Sequence, residues 1–263
     1  VKIGLRDSPP FFLMASRFLV AGSVLLVFAR LRGHAMPRRL AEWRPIVLLA
    51  LLNYALYLGL TAMALRHLSA GMGAVLASTN PLMLALVAPW LLAERLTLAK
   101  AVGLLTSFAG VAWVMGSRLG DQNRPSAMGL VLVSIACLVA GTIVFKRLHG
   151  SVDLLVLNAG QLLTAGVVLA GPSLLLEPLG TVRFTPSFLS VQAFLIVVVS
   201  WIGMMTWFWL LTHGDATRAS AWFFLNPILG LFLGALLLGE PLKGQDFAGS
   251  LAVALGIYVV QRA

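Results

Sequence analysis

Two stretches, ASTNP at 77–81 and FFLNP at 223–227, set an Asn-Pro pair inside long apolar runs, and their reading decides the fold. Proline lacks the N–H that the carbonyl four residues back would accept, and hydrocarbon offers no water to replace it. The break is costly once, and this chain makes it twice. The two prolines stand 146 residues apart, as do Glu94 and Glu240 at the ends of the same runs. A gap-free overlay at that spacing also pairs His67 with His213, Ala70 with Ala216, Leu96 with Leu242, Gly103 with Gly249 and Gly110 with Gly256. Apolar coincidences are cheap in so apolar a sequence, so the weight rests on the polar, Pro and Gly matches.

The chain is 60% hydrophobic and 11% charged, with a mean hydropathy of +0.96, against about 45–50% and about 25% for an ordinary soluble domain. Those values exclude a soluble fold and place the chain in a bilayer, where a spanning helix needs about 20 mainly apolar residues. Charge, Pro and Gly punctuate nine predicted helices, near 10–31, 45–66, 69–93, 98–116, 127–146, 153–174, 188–212, 216–239 and 244–261. The connections are short and leave no room for a soluble catalytic domain. The net charge of +10 sits in those connections, so it reads as orientation in the membrane rather than nucleic-acid binding. A single cysteine, Cys137, excludes an intrachain disulfide and a cysteine metal site.

The overlay divides the chain into repeats at 1–120 and 121–263. Nearer the N-terminus an offset of 144 fits, pairing VAG at 20–22 with TAG at 164–166 and Val1 with Phe145. The repeat therefore predicts a further helix upstream of Val1, the first of a ten-helix, five-plus-five bundle. An odd number of helices per repeat inverts the second half relative to the first. Eleven connecting Lys and Arg residues then fall on one side and seven on the other, with the densest cluster, ARLRGHAMPRRLAEWR at 29–44, on the majority side. The positive-inside rule puts that side, and the C-terminus, in the cytoplasm.

Several residues carry candidate chemistry. Asn80 and Asn226 set amides beside carbonyls freed by Pro81 and Pro227, so the two breaks serve as hinges, as ligand-facing backbone, or as packing kinks satisfied by a neighbour. Asn53, Tyr57 and Thr61 recur at i, i+4 and i+8 with Tyr54 close by, a stripe suited to a polar cavity or to interhelical hydrogen bonds. Trp222, one turn before Asn226, and Trp201 could stack on the apolar part of a solute, whereas Trp207 and Trp209 read as an interfacial belt. Arg17 lies about two turns inside its helix, where an ionisable group marks a functional site by default; it could hold a carboxylate or snorkel outward. Gln161 is its equivalent at offset 144. Glu94 and Glu240 read as structural charges favouring the dipole of the next helix. Gly103, Gly110, Gly249 and Gly256, and the pair Gly230/Gly234, suit close helix contact. No carboxylate sits mid-helix, no metal-ligand cluster or nucleotide loop appears, and no cofactor is expected.

The runs PPFFLMASRFLVAG at 9–22, ALRHLSAGMGAVLASTNPLMLALVAPWLLAERLTLAKAVGLLTSFAGV at 64–111 and FFLNPILGLFLGALLLGEPLKGQDFAGSLAVALGIYVV at 223–260 resemble the EamA family of the drug/metabolite transporter superfamily. The resemblance covers nearly the whole chain. It implies ten helices in two inverted five-helix repeats, termini in the cytoplasm, a central cavity and export of small metabolites such as amino acids, or of amphipathic compounds.

The expectation is thus an all-α, polytopic membrane bundle that exports or exchanges a small organic solute across the inner membrane by alternating access. Its partners are that solute, the lipid bilayer and a second copy in a homodimer, and not nucleic acid. An intramembrane enzyme would need a buried nucleophile with a base or metal, and a scaffold would have no use for a polar stripe.

Overall fold

Capping chemistry sets where the helices begin. Helix α1 (Pro10–Leu31) starts on Pro9 and Pro10, where a missing N–H costs nothing. Helix α2 (Leu40–Ala64) starts five residues before the sequence suggests, because Glu42 reaches back to the Arg38 N–H at 2.8 Å and so fixes the first turn ahead of Pro45. Helices α3 (Ala70–Leu91), α4 (Leu98–Gly116), α5 (Pro125–Leu148), α6 (Leu154–Leu176) and α7 (Pro186–His213) follow, then α8 over 216–238 and α9 (Gly244–Arg262). This computed structural model describes residues 1, 3–116, 123–148, 152–238 and 241–263. Among them the protein is all helix, and α1 to α7 are each long and apolar enough to cross a membrane.

Four of the helices are not regular. In α3 the α-helix stops at Ala77, turns through Ser78 and Thr79, and restarts at Asn80. In α8 a 3₁₀ segment, Trp222–Phe224, separates Ala216–Ala221 from Leu225–Leu238. Both interruptions stand just N-terminal to an Asn-Pro pair, where the proline removes a donor. Helices α2 and α7 instead carry π segments, Ala50–Leu56 and Leu195–Gly203, which nothing in the residue pattern announces. Those two segments also lie 146 residues apart to within a residue.

The chain forms two compact units, Val1–Arg66 with Ala140–His213, and His67–Val139 with Gly214–Ala263. Each unit draws on both halves of the sequence. The first contains α1 with α6 and α2 with α7, which are equivalent pairs at offsets of 144 and 146; the second contains α3 with α8 and α4 with α9.

In the first unit α1 and α6 pack tightly. A Cβ on Gly22 would stand 2.8 Å from the Leu163 backbone N, and one on Gly166 would stand 2.9 Å from the Leu19 backbone N. Leu19 and Leu163 are themselves equivalent, as are Gly22 and Gly166. Each contact is therefore the exchange of the other, the signature of a local two-fold relation, and the order of contacts makes α1 and α6 antiparallel. The pair is tied at both ends. The Glu177 carboxylate, just past α6, accepts the Phe11 and Phe12 N–H groups at 2.7 and 2.8 Å. Asp153 caps α6 through the Leu155 and Val156 N–H groups and meets His34, past the end of α1, at 3.0 Å.

The second unit repeats the design. Cβ atoms on Gly103 and Gly110 would stand 2.7 and 2.8 Å from the carbonyl oxygens of Gly256 and Gly249, again an exchange between equivalents and again antiparallel. Leu104, Val111, Val253, Ile257 and Val260 close the core around that crossing. Gly230 serves no such approach, since nothing lies within 4 Å of its absent Cβ, and the surroundings of Gly234 lie outside what is described. Glu94 is structural, but its carboxylate accepts the Thr217 N–H at 3.0 Å and the Thr217 hydroxyl at 2.8 Å, with the Ala216 N–H as well. It therefore caps α8 rather than the helix that follows it in sequence. Glu240 lies outside the described residues.

Two outcomes follow for purified protein in detergent. Gly103→Val must push two backbones apart and should cost about 1–3 kcal/mol, whereas Gly116→Val, with open space at its Cβ position, should change stability by less than about 0.5 kcal/mol; thermal unfolding reads both. Burial alone would raise the Asp153 carboxyl, but hydrogen bonds from His34 and from the Val156 and Leu155 N–H groups hold it below the usual carboxylate range. With the folded value depressed, its stabilisation is complete above the unfolded value of about 3.9 and is lost as pH falls through the folded one. Asp153→Asn should flatten the acid limb of Tm against pH below about pH 4, and an unchanged limb would refute the assignment.

Candidate functional site

The π segment of α2 holds Asn53 and Tyr54, and that of α7 holds Ser200 and Trp201. Bonding from i to i+5 widens the turn, and in α2 it buries Asn53 and Tyr54, adjacent residues, together. Both face α6, whose LNAGQ run at 157–161 is buried throughout. Tyr54 donates its hydroxyl to Asn158 Oδ1. Asn158 Nδ2 in turn donates to the Ser200 carbonyl at 3.0 Å. Arg17 Nε donates to Ser200 Oγ, also at 3.0 Å, and Asn53 Nδ2 reaches Gln161 Oε1 at 3.4 Å. Trp201 Nε1 donates to the Ala21 carbonyl, and Gln192 Nε2 to Ser16 Oγ. Four helices of the first unit, α1, α2, α6 and α7, thus meet in one polar cluster.

Its electrostatics are one-sided. Arg17 is 1% exposed, so the outward snorkel is not what its stem makes. Besides Ser200, the guanidinium has the Met14 sulfur at 3.9 Å and the Phe18 ring at 5.1 Å. Arg17 Nη2, Gln161 Nε2 and Asn53 Oδ1 are buried with no partner. Each unmet buried group costs about 1–3 kcal/mol, so a bundle selected for stability alone would not retain three together. Gly141, on α5, makes room for the cluster: a Cβ there would collide with Asn53 Oδ1.

The remaining candidates are placed as follows. Tyr57 and Thr61 continue from Asn53 along α2 and are half-buried, as is Trp201. In the second unit Asn80 is 2% exposed with both amide atoms unpartnered, and Pro81 beside it is buried. The equivalent Asn226 is exposed although Pro227 is buried, and Trp222 is 43% exposed in the 3₁₀ segment of α8. The two Asn-Pro sites are therefore equivalent in sequence and unlike in environment. Trp209 is exposed and stacks on His213, but Trp207 is buried and does not join an interfacial belt. Sequence reasoning missed Asn158 and Ser200. Both had a signal, since Asn158 lies one turn before Gln161 on α6 and Ser200 is the 146-residue equivalent of Tyr54.

Comparison with known proteins agrees with this architecture. The model of the EamA-like transporter family matches residues 1–116 and 125–262. The "Uncharacterized transporter YvbV" of Bacillus subtilis is 31% identical over 98% of this chain and 85% of its own length. The "Uncharacterized inner membrane transporter YedA" of Escherichia coli K12 is 28% identical over 98% of this chain and 82% of its own. One solved crystal structure superposes with a TM-score of 0.82, covering 97% of this chain and 89% of that one at 22% identity, which carries the fold.

The cluster predicts a measurable coupling. Tyr54→Phe leaves Asn158 Oδ1 buried without its donor and should cost about 1–3 kcal/mol in thermal unfolding. Combined with Asn158→Leu, the loss should fall short of the two single losses added together by about 0.5 kcal/mol or more; strict additivity would mean the two side chains do not depend on each other.

Proposed function

This chain belongs to the EamA-like transporter family, and on that premise we propose that it moves a small organic solute across the inner membrane by alternating access, in the direction of export or exchange. Family and relatives point to a multi-pass membrane transporter rather than an enzyme. The observation that carries the finer reading is the cluster around Arg17, Asn53, Tyr54 and Gln161, buried in helices otherwise apolar and left with two unmet donors and one unmet acceptor. Groups kept unpaired at a cost in stability are groups kept for a ligand.

In this reading Arg17, Asn53, Tyr54, Tyr57, Thr61 and Trp201 contact the solute from the first unit, and Asn80, Trp222 and Asn226 contact it during passage. Pro81 and Pro227 serve as hinges. The helix breaks at Ser78–Thr79 and Trp222–Phe224 give α3 and α8 a place to bend without breaking further backbone bonds. Alternating access needs two halves that can exchange conformations, and an inverted repeat would supply them. The antiparallel, mutually exchanged contacts of α1 with α6 and of α4 with α9 support that arrangement. The excess of basic residues in alternate connections supports a cytoplasmic C-terminus.

The experiment is flux in proteoliposomes reconstituted with the full-length chain, using radiolabelled mixtures of amino acids and organic acids. Asn53→Ala and Asn80→Ala should each lower flux about tenfold, the effect of losing roughly 1.4 kcal/mol of solute contact, at equal protein in the vesicles, while Gly116→Ala should leave it unchanged. Wild-type rates in both Asn variants would defeat the site and leave the fold untouched.

A further inference from the structure

We infer that the solute bears an anionic group, a carboxylate in the simplest case, and that Arg17 and the Gln161 amide form its subsite. The inference rests on the transport reading above and narrows it to a substrate class. Arg17 is a permanent charge buried without a counter-charge among the described residues. Its contacts, a serine hydroxyl, a thioether and an aromatic face, are all neutral. The acids described in the same unit are all engaged elsewhere: Glu177 on the start of α1, Asp153 on α6 and His34, Asp7 on the Thr185 hydroxyl and Glu42 on Arg38. No described acid of either unit pairs with Arg17. In a low-dielectric core a charge needs a partner, and with no described acid beside it the guanidinium is placed to take that partner from an anionic ligand.

A second donor points the same way. Gln161 is fully buried, and its Nε2 lacks an acceptor while Oε1 is turned to Asn53. Interchanging oxygen and nitrogen in both amides would not remove the imbalance, since the pair keeps one unmet N–H group and one unmet carbonyl in either assignment. Asn158, one turn from Gln161 on α6, and Arg17 both donate to Ser200, one to its carbonyl and the other to its hydroxyl. A carboxylate suits the fork geometry of the guanidinium and has a lone pair over for an amide N–H. The unmet carbonyl of the Asn53–Gln161 pair can take a hydroxyl or an ammonium at the far end of the solute. Nothing described in the cluster offers a carboxylate to a cation, and Arg17 repels one. Monoanions and zwitterions therefore fit, and net cations do not.

The test is thermal unfolding of the full-length protein in detergent with matched probes: sodium lactate and sodium benzoate, their neutral amides lactamide and benzamide, choline chloride, sodium chloride and sodium phosphate. At least one carboxylate should raise Tm by about 3 °C or more over its amide at saturation. Arg17→Gln should abolish that difference and raise Tm without probe, because it removes an uncompensated buried charge. Arg17→Lys should keep part of the shift, and Gln161→Leu should reduce it with Arg17 intact, so a poorly folding Arg17→Gln does not end the test. The proposal is overturned if no carboxylate exceeds its amide, if choline protects as well, or if the shift survives in Arg17→Gln. Equal protection by chloride or phosphate would mean a resident inorganic counter-ion and would overturn it as a statement about the solute. Failure here with the Asn53→Ala and Asn80→Ala flux losses intact defeats the anion assignment alone, whereas unchanged flux in both variants defeats the site.

Discussion

Hydrocarbon gives a polar group nothing to bond to, and each irregular feature of this protein is a response to that constraint. A straight helix satisfies its own backbone, so the parts that depart from straightness have to be explained by what they gain. Two of the departures, at Asn80-Pro81 and Asn226-Pro227, come from the covalent absence of an N–H. The other two, the π segments of α2 and α7, remove no donor; they re-aim side chains. The cluster of Arg17, Asn53, Tyr54, Asn158, Gln161 and Ser200 exists because the π segments turn polar residues of α2 and α7 onto α6 and α1.

The same constraint governs the helix ends. A terminus exposes unpaired N–H groups, and this chain answers with acids borrowed from other helices. Glu177 caps α1 and Glu94 caps α8, each joining elements distant in sequence. Seven acids are described, and Glu94, Asp153 and Glu177 each accept backbone N–H groups at a helix N-terminus, where the dipole favours negative charge. The economy has a consequence for chemistry. With its acids spent on termini, the first unit has no described carboxylate to set beside Arg17, and the cluster keeps a net positive character.

Much of this was legible in the residues. The nine helices and the spacing of their proline breaks follow from periodicity and punctuation, because hydrophobic pattern and proline act locally, whereas the residues left open whether Arg17 turns inward or snorkels out. The glycine contacts of α4 with α9 follow from duplicated Gly spacing, since close approach has few alternatives to glycine. The π segments were not legible: insertion of one residue into a helix leaves no compositional trace, and it decides which of Asn53, Tyr54 and Tyr57 faces inward. A stripe drawn at i, i+4 and i+8 misses that shift, which is why Asn158 and Ser200, the partners of the shifted residues, were overlooked. Glu94 was placed correctly at a helix end but on the wrong helix, since capping across sequence-distant elements depends on packing that spacing does not encode.

Duplication gave the two halves the same positions, and divergence has used them differently. Arg17 and Gln161 are equivalent, yet only one is charged; Asn80 is buried with an unmet amide and Asn226 is exposed. Tyr54 and Ser200 are equivalent, and they sit at opposite ends of the Asn158 side chain, one donating to its oxygen and the other accepting through its backbone from its nitrogen. A symmetric site would bind a symmetric ligand, or bind any ligand in two orientations at equal cost. For the anionic solute proposed above, placing the Arg17 cation in one half of a duplicated frame would remove that degeneracy, because such a solute would enter in only one favourable orientation. In the alternating access proposed above, the repeated backbone would supply two interchangeable conformations, and the asymmetric side chains would give passage between them a single polarity.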